Sequence, residues 1–417
     1  MSTYDILAGL FLLAALFLFV NLSYLKLPTS VGLMILALVL SAVVIIVGEI
    51  FPEYHLAEKV KEYHYADILY RFVLSVMLFA AGLSVDFKKL GKQFVPVLML
   101  AFLGVLISTF VIGGLLYALL DMMNIELSFM GCLVFGALIS STDPVAITKT
   151  LQRFNLSKQL ETKITGESML NGGIAIVLAM ILVRIQEYDT INSTTALSDN
   201  LLLVLRNVGG GLLLGLFFGW VGYKTLSWVD NDSIEVEVLV TLSLVMTGSY
   251  FGNLFNTSPM LIAIVSGLMI ANYGQDESED TALGKYVYRF WKLMQETIAA
   301  ILFVLIGFEM IVIPLRMDYF AAGFFTVLIV LIARWISVYV PIKLLSSSHA
   351  FDKGTVSVLT WGALRGGLPV AVSLSLHNFP GEELIVTLTY TVVVCSVLYQ
   401  GLTLSPMMKL YRGTHKG

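Results

Sequence analysis

The run Ala137-Leu138-Ile139-Ser140-Ser141-Thr142-Asp143-Pro144-Val145-Ala146 sets three hydroxyls, an acid and a proline inside an apolar stretch reaching from about residue 127 to 150. Pro144 offers no N–H to the carbonyl of Ser140, and its ring pushes Asp143 out of the α region, so a helix laid through this stretch breaks there. A second break stands downstream in Gly362-Ala363-Leu364-Arg365-Gly366-Gly367-Leu368-Pro369. There Pro369 frees the carbonyl of Arg365 in the same way. Single Pro or Gly kinks are common in membrane helices, but a matched pair of interrupted helices is the best sequence pointer to a transporter's midplane site.

The rest of the chain supplies the membrane. Apolar runs long enough to cross a ~30 Å hydrocarbon layer, roughly 20 residues each, number about thirteen. They lie near 4–22, 31–49, 66–85, 94–120, 127–150, 162–184, 203–227, 233–254, 257–273, 290–314, 318–344, 354–376 and 383–408. Of the 417 residues 58% are hydrophobic and 13% charged. That charged fraction is about half the share in ordinary soluble domains, which excludes a soluble enzyme. No Ser/Lys, paired-Asp or HExxH arrangement at bilayer depth suggests an intramembrane enzyme either. Lys and Arg number 25 against 29 Asp and Glu, a net charge of −4 that gives no surface for nucleic acid. Cys132 and Cys395 both sit in apolar runs and read as packing residues. The first run, Ile6–Val20, has no basic residue before it, lacks the n-region of a secretory signal, and reads as a retained helix. The longest polar inserts are Phe51–Tyr65, Gln186–Asn200 and Tyr273–Lys285. The expectation is one membrane transport domain over 1–417 with no soluble regulatory domain and lipid as its surroundings.

Orientation follows from the basic residues of the short loops. One set of alternate loops carries Lys26, Lys88, Lys89, Lys92, Lys149, Arg153, Lys158 and Lys163, then Lys224, Lys285, Arg289, Lys292, Lys343 and Lys353, and Lys409, Arg412 and Lys416 follow in the tail. The other set has only Lys59, Lys61, Arg71, Arg184, Arg206 and Arg316. The first set is expected in the cytoplasm, with the N-terminus outside and the C-terminus inside, as an odd number of spans requires. The two broken spans, the fifth and the twelfth, then enter from opposite sides if each belongs to a six-helix half. Those halves are expected at roughly 1–184 and 233–417, inverted relative to each other and joined by the span 203–227. The fold class is therefore an all-α polytopic membrane protein with two inverted repeats.

An ionisable side chain at bilayer depth costs about 2.5–3.5 kcal/mol on insertion scales, so each one present is a candidate for function. Asp143 stands beside Ser140, Ser141 and Thr142 and an unpaired carbonyl. Oxygens of this kind suit a small hard cation, and a carboxylate holds either that cation or a proton. Asp143 also suits the N-terminus of the second half-helix as a cap, and the two roles are compatible. In Gly166-Glu167-Ser168-Met169-Leu170-Asn171-Gly172-Gly173 the helical period puts Glu167 and Asn171 on one row and Ser168 and Gly172 on the next. Glu167 needs a partner, and a bidentate Arg–carboxylate pair with Arg365 is the expectation, tying the sixth helix to the broken twelfth. By the same logic Asp86 and Arg334 are expected to pair across the core. Glu309 either lines an outer vestibule or reaches back to water. The triplet Gly209-Gly210-Gly211 reads as a place of close helix contact.

Ala137 to Ala146, Gly166 to Asn171, Phe303-Val304-Leu305-Ile306-Gly307 and Ala363-Leu364-Arg365-Gly366-Gly367 together resemble the sodium/proton antiporters of the NhaP/NHE type, in order and spacing, over nearly the whole chain. The resemblance implies a homodimer whose protomers of about thirteen spans each hold a dimerisation domain and a six-helix core. The core surrounds two crossed, unwound helices and moves like an elevator. It implies a cation site of Asp143, Thr142 and Ser168 with Asn171 in support and Ser140 beside it, with Glu167 and Arg365 as a structural pair. It implies no cofactor: the cargo is protons and a monovalent cation, sodium or its neighbours lithium and potassium, carried across a plasma membrane, in bacteria the inner one.

One position departs from the resemblance. The family follows the Asn with an Asp that exchanges cation for proton, and this chain has Gly172. Gly adds no ligand and no titratable group to the Ser168 row, and a Gly172-Gly173 doublet costs roughly 1 kcal/mol per residue in helix propensity. Three readings follow: Asp143 alone carries the exchange; the chain is a transport-inactive variant; or it passes cations uncoupled, as a channel or leak, or does not transport.

Overall fold

The computed structural model describes residues 3–50, 66–85, 90–142, 158–191, 205–228, 234–271, 282–312, 316–346, 351, 354–376 and 379–414. All regular structure among them is helical. In chain order the α-helices are α1 (Thr3–Val20), α2 (Thr29–Ile50), α3 (Ala66–Leu83), α4 (Phe94–Met122), α5 (Phe129–Ser140), α6 (Lys158–Ile191), α7 (Gly210–Trp228), α8 (Ile234–Leu254), α9 (Pro259–Ile270), α10 (Ala282–Val312), α11 (Met317–Leu345), α12 (Thr355–Trp361), α13 (Gly367–Leu374), α14 (Glu382–Cys395) and α15 (Gly401–Thr414). A π turn at Ser396–Gln400 joins α14 to α15.

Among the described residues nine helical stretches are long and apolar enough to cross a membrane, and Val73–Leu83, α5 and α9 are shorter apolar helices. Several are apolar on all faces, which is the pattern of a helix set in lipid. Leu12 and Phe19 of α1, Leu213 and Phe217 of α7, and Phe324 and Phe325 of α11 accordingly face outward, exposed.

Two helices run past the apolar runs that announced them. The tenth begins at Ala282 rather than near 290, and the sixth spans Lys158–Ile191 rather than 162–184. In both, polar residues continue the helix beyond the hydrocarbon, where water satisfies charge and helix propensity alone decides. At the start of α10 this shows as Val287 and Trp291 buried beside exposed Tyr286 and Tyr288.

The helices pack as two groups. α4 packs on α5, α6 and α11; α5 on α6; α11 on α12 and α14; and α13 on α14, with further contacts of α5 to α13 and α14. The other group is α1, α2, α3, α7, α8, α9 and α10, with α9 between α7 and α3, and α10 against α2 and α3. Close approach inside this second group rests on glycine. A Cβ on Gly82 of α3 would press into the Ile264 carbonyl of α9, and one on Gly267 of α9 into the Phe79 carbonyl of α3. Gly210 and Gly211 meet Thr257 and Leu261 at the foot of α9, while Gly209 has open space around it. Small residues at such crossings let backbones meet where lipid supplies no hydrophobic drive. The groups join along a seam where α3 and α10 touch α13, and α3 touches α6.

Candidate functional site

Both expected helix breaks are present, and they touch. Helix α5 starts on Ser128, whose Oγ accepts the Gly131 N–H at 3.0 Å, and it stops at Ser140, with Ser141 extended. Asp143 and Pro144 lie outside the described residues. The downstream break falls between α12 and α13, where residues 362–366 are unwound. Arg365, in that gap and 2% exposed, donates from Nη1 to the carbonyls of Ser140 at 2.9 Å and Ser141 at 3.1 Å. A buried carbonyl without a donor is costly, and a guanidinium is an economical way to satisfy two at once. One broken helix thus caps the other.

That use of Arg365 corrects the expected pairing. Glu167 on α6 is held by Arg334 of α11, Nη1 to Oε1 and Nη2 to Oε2, both at 2.8 Å. Arg334 also donates to the Leu359 carbonyl at the end of α12, from Nη2 at 3.2 Å. Both partners are buried, Arg334 4% and Glu167 1% exposed. The physical reason is competition for donors: unwinding leaves carbonyls at Ser140 and Ser141 that claim Arg365, whereas Arg334 stands on an intact helix and can put both terminal nitrogens on the carboxylate while still reaching the Leu359 carbonyl. The expected partner of Arg334, Asp86, lies outside the described residues, as does the side chain of Glu309; here both terminal nitrogens of Arg334 are on Glu167.

The rows read along the sixth helix are real. Asn171 donates from Nδ2 to Glu167 Oε1 at 2.8 Å. It therefore braces the ion pair, and it is not among the residues lining the cavity on the other face. The Ser140 hydroxyl likewise turns away, donating to the Gly136 carbonyl at 2.6 Å. Of the five residues expected around the cation, Thr142 and Ser168 are brought together in one cavity, together with Ser141, Gly172, Gly173 and the backbone of 366–369. The Thr142 hydroxyl is buried with no hydrogen-bond partner. The cavity lies on the seam, its other wall made by Met77, Leu78 and Ala81 of α3 and Gln295, Ala299, Leu302 and Phe303 of α10. It measures about 20 Å³, room for roughly one water-sized body. A Cβ on Gly172 would stand 3.8 Å from the Thr142 carbonyl, an ordinary contact, so the position accepts a side chain aimed at the break.

Among the described residues no group of three or more His, Cys, Asp and Glu is placed to hold a metal ion. Among the described residues, the cavity's side chains offer a cation neutral oxygen: the hydroxyls of Ser141, Thr142 and Ser168 and the amide of Gln295.

Several polar residues escaped the sequence reading. Ser396 accepts the Arg365 backbone N–H at 3.0 Å and is itself bonded to Gln400, whose Nε2 reaches the Trp361 carbonyl at 3.4 Å. This polar rung in the π turn holds the downstream break open, and its only signal was two polar residues four apart in an apolar run. Gln295 lines the cavity from α10. Glu237 of α8 is 1% exposed with both carboxylate oxygens unpartnered, one turn from Thr241, which accepts the Trp291 Nε1–H at 2.9 Å. Both sit near span ends or beside polar neighbours, where a lone polar residue reads as interfacial.

Comparison with known proteins agrees with this geometry. Residues 10–410 match the family described as "Sodium/hydrogen exchanger, transmembrane". The chain is 35% identical over 417 residues to the Na(+)/H(+) antiporter NhaP of Pseudomonas aeruginosa, covering 98% of this chain and 97% of that one. It is 32% identical over 392 residues to the Na(+)/H(+) antiporter NhaH of Halobacillus aidingensis, covering 92% of each. In fold it is similar to the solved sodium proton antiporter MjNhaP1 of Methanocaldococcus jannaschii, with TM-score 0.79 at 19% identity over 98% of this chain and 97% of the other.

Proposed function

The chain belongs to the sodium/hydrogen exchanger family, and on that premise we propose that it is a secondary active transporter, not an enzyme, which exchanges a sodium-like cation for protons across the membrane by alternating access. The observation that carries this reading is the meeting of two interrupted helices, Arg365 on the carbonyls of Ser140 and Ser141, against a cavity that holds the unpartnered Thr142 hydroxyl. Unwound backbone inside a membrane bundle is tolerated only where protein or a water-filled cavity satisfies it, and transporters place their cargo there.

In the cycle Asp143 holds a proton or the cation, never both, so that proton release to one side and cation capture from it are one event. Thr142 and Ser168 add hydroxyl oxygens, suited to a hard cation that sheds most of its water in so small a cavity. Arg365 keeps the break open, and the Glu167–Arg334 pair with Asn171 holds α6 and α11 in register behind it. Ser140 serves through its carbonyl rather than its hydroxyl. Gly172 leaves Asp143 as the acid of the exchange. No cofactor takes part, and the cargo is sodium, lithium or potassium with protons.

The same premise extends to the architecture. The molecule is a homodimer of protomers with about thirteen spans, built from inverted halves 1–184 and 233–417 joined by the span 203–227. The group of α4, α5, α6 and α11 to α14 is the moving core, a reading supported by its internal packing and by the seam that separates it from the rest. Each protomer lies in the plasma membrane, the inner membrane in bacteria, with its N-terminus outside.

Cation-driven proton movement in proteoliposomes, followed with a pH-sensitive dye, tests the proposal on the native chain, Asp143→Asn and Gly172→Asp. Exchange by the native chain that Asp143→Asn abolishes is the expected result, with Gly172→Asp folding normally and shifting the pH profile. Unchanged exchange in Asp143→Asn overturns the role of Asp143. Cation conductance without proton movement replaces exchange by a leak, and silence of the native chain beside an active Gly172→Asp makes it an inactive antiporter.

A further inference from the structure

Every polar group expected in the cavity comes from one side of the seam: Ser141 and Thr142 follow α5, and Ser168 stands on α6. The facing wall, from α3 and α10, is apolar at Met77, Leu78, Ala299, Leu302 and Phe303, with one exception, Gln295. Gln295 is 8% exposed and lines the cavity. A polar amide set among apolar neighbours in a membrane bundle is costly, and Met or Leu would fill the same volume without that penalty. What the amide adds is a neutral oxygen of the kind that coordinates hard cations, carried into a space that fits roughly one water-sized body.

We propose that Gln295 is a cation ligand contributed across the seam by α10, its amide oxygen closing the coordination shell on the wall that faces Thr142, Ser168 and Gly172. The inference rests on the reading of this cavity as the cation site. Because α10 packs mainly with α2 and α3 and meets the break-bearing helices only where it touches α13 along the seam, this ligand is made when the core stands as it does here and is lost when the core moves. Gln295 therefore favours cation binding in this orientation and takes part in choosing among cations by the distance it sets across the seam. A cavity of about 20 Å³ closed by this ligand favours the smaller sodium and lithium over potassium.

The test uses the full chain and Gln295→Leu, Gln295→Met and Gln295→Glu, with two readouts. The first is exchange in proteoliposomes driven by sodium, lithium or potassium; the second is the rise in melting temperature that each cation gives the protein in detergent. Loss of one ligand is expected to raise the apparent KM for sodium about five- to tenfold in the Leu and Met variants, with little change in the rate at saturating sodium. Their stabilisation by sodium shrinks in step, and their preference for sodium over potassium narrows. Gln295→Glu restores cation binding and makes its KM steeply dependent on pH. Leu and Met variants that keep the native KM and selectivity overturn the assignment while leaving the exchange reading intact, and so does a loss of rate at unchanged KM, which marks a packing role. If the native chain neither exchanges nor gains stability from any of the three cations, the cavity is not the cation site and both readings fall.

Discussion

Glu167 and Arg334 show how a buried charge pair is held in this protein. Both carboxylate oxygens are taken by the guanidinium, Asn171 adds a donor to one of them, and Arg334 spends a further N–H on the end of α12. Removing one partner strands the other in a low-dielectric interior, so Glu167→Ala or Arg334→Ala is expected to destabilise by about 3–5 kcal/mol. Replacing both with apolar residues of similar size, Glu167→Leu with Arg334→Met, is expected to do less harm than either single change. Thermal unfolding in detergent measures this, and single variants that melt like the native protein would show that the pair contributes little. The need for such a pair was legible in the sequence, because an acid at bilayer depth demands a cation. The identity of the cation was not, because Arg365 and Arg334 are equivalent as letters and differ only in what surrounds them: freed carbonyls at Ser140 and Ser141 in one case, an intact helix in the other.

Helices in this fold meet by backbone contact as much as by side chains. The crossing of α3 and α9 is reciprocal, each glycine lying under a carbonyl of the other helix. Gly82→Ala and Gly267→Ala are therefore expected to force the two helices apart, at about 1–3 kcal/mol each, the usual size of an overpacked contact. Gly114→Ala in α4 has nothing within 4 Å of its new methyl and is expected to leave stability unchanged or slightly raised. Melting temperatures of the three variants give the comparison, and equal behaviour at Gly82, Gly267 and Gly114 would remove the close-contact account. At this level the sequence was informative about where helices exist and where they break, since apolar length and the missing N–H of proline are properties of a few neighbouring residues. It was weaker on where helices end, because α6 and α10 run on into polar sequence outside the hydrocarbon. The rung of Ser396 and Gln400 was invisible for a related reason: its meaning depends on Arg365, which lies on another element.

Taken together, the helices form a core built around the two breaks and a second group that faces it across the seam, with the cavity between them. The distribution of basic residues predicts an orientation for this assembly. Alkaline phosphatase fused within the α4–α5 connection is expected to be active outside the cytoplasmic membrane, while a fluorescent protein fused after Gly417 folds and fluoresces in the cytoplasm. An active phosphatase fusion at the C-terminus would reverse the orientation and with it the direction assigned to the two breaks.

Composition, apolar run lengths and the two proline-bearing motifs were sufficient for a many-helix membrane protein interrupted after Ser140 and at residues 362–366, and the resemblance carried by four motifs was sufficient for the family. Each of these is local, and membrane insertion reads local hydrophobicity directly. Arg334 rather than Arg365 on Glu167, Asn171 and Ser140 turned away from the cavity, and Gln295 brought into it from α10 are matters of which faces meet across the bundle. They are fixed by the packing of helices far apart in the chain, through side-chain reach and competition for donors, and no short stretch of sequence carries that information.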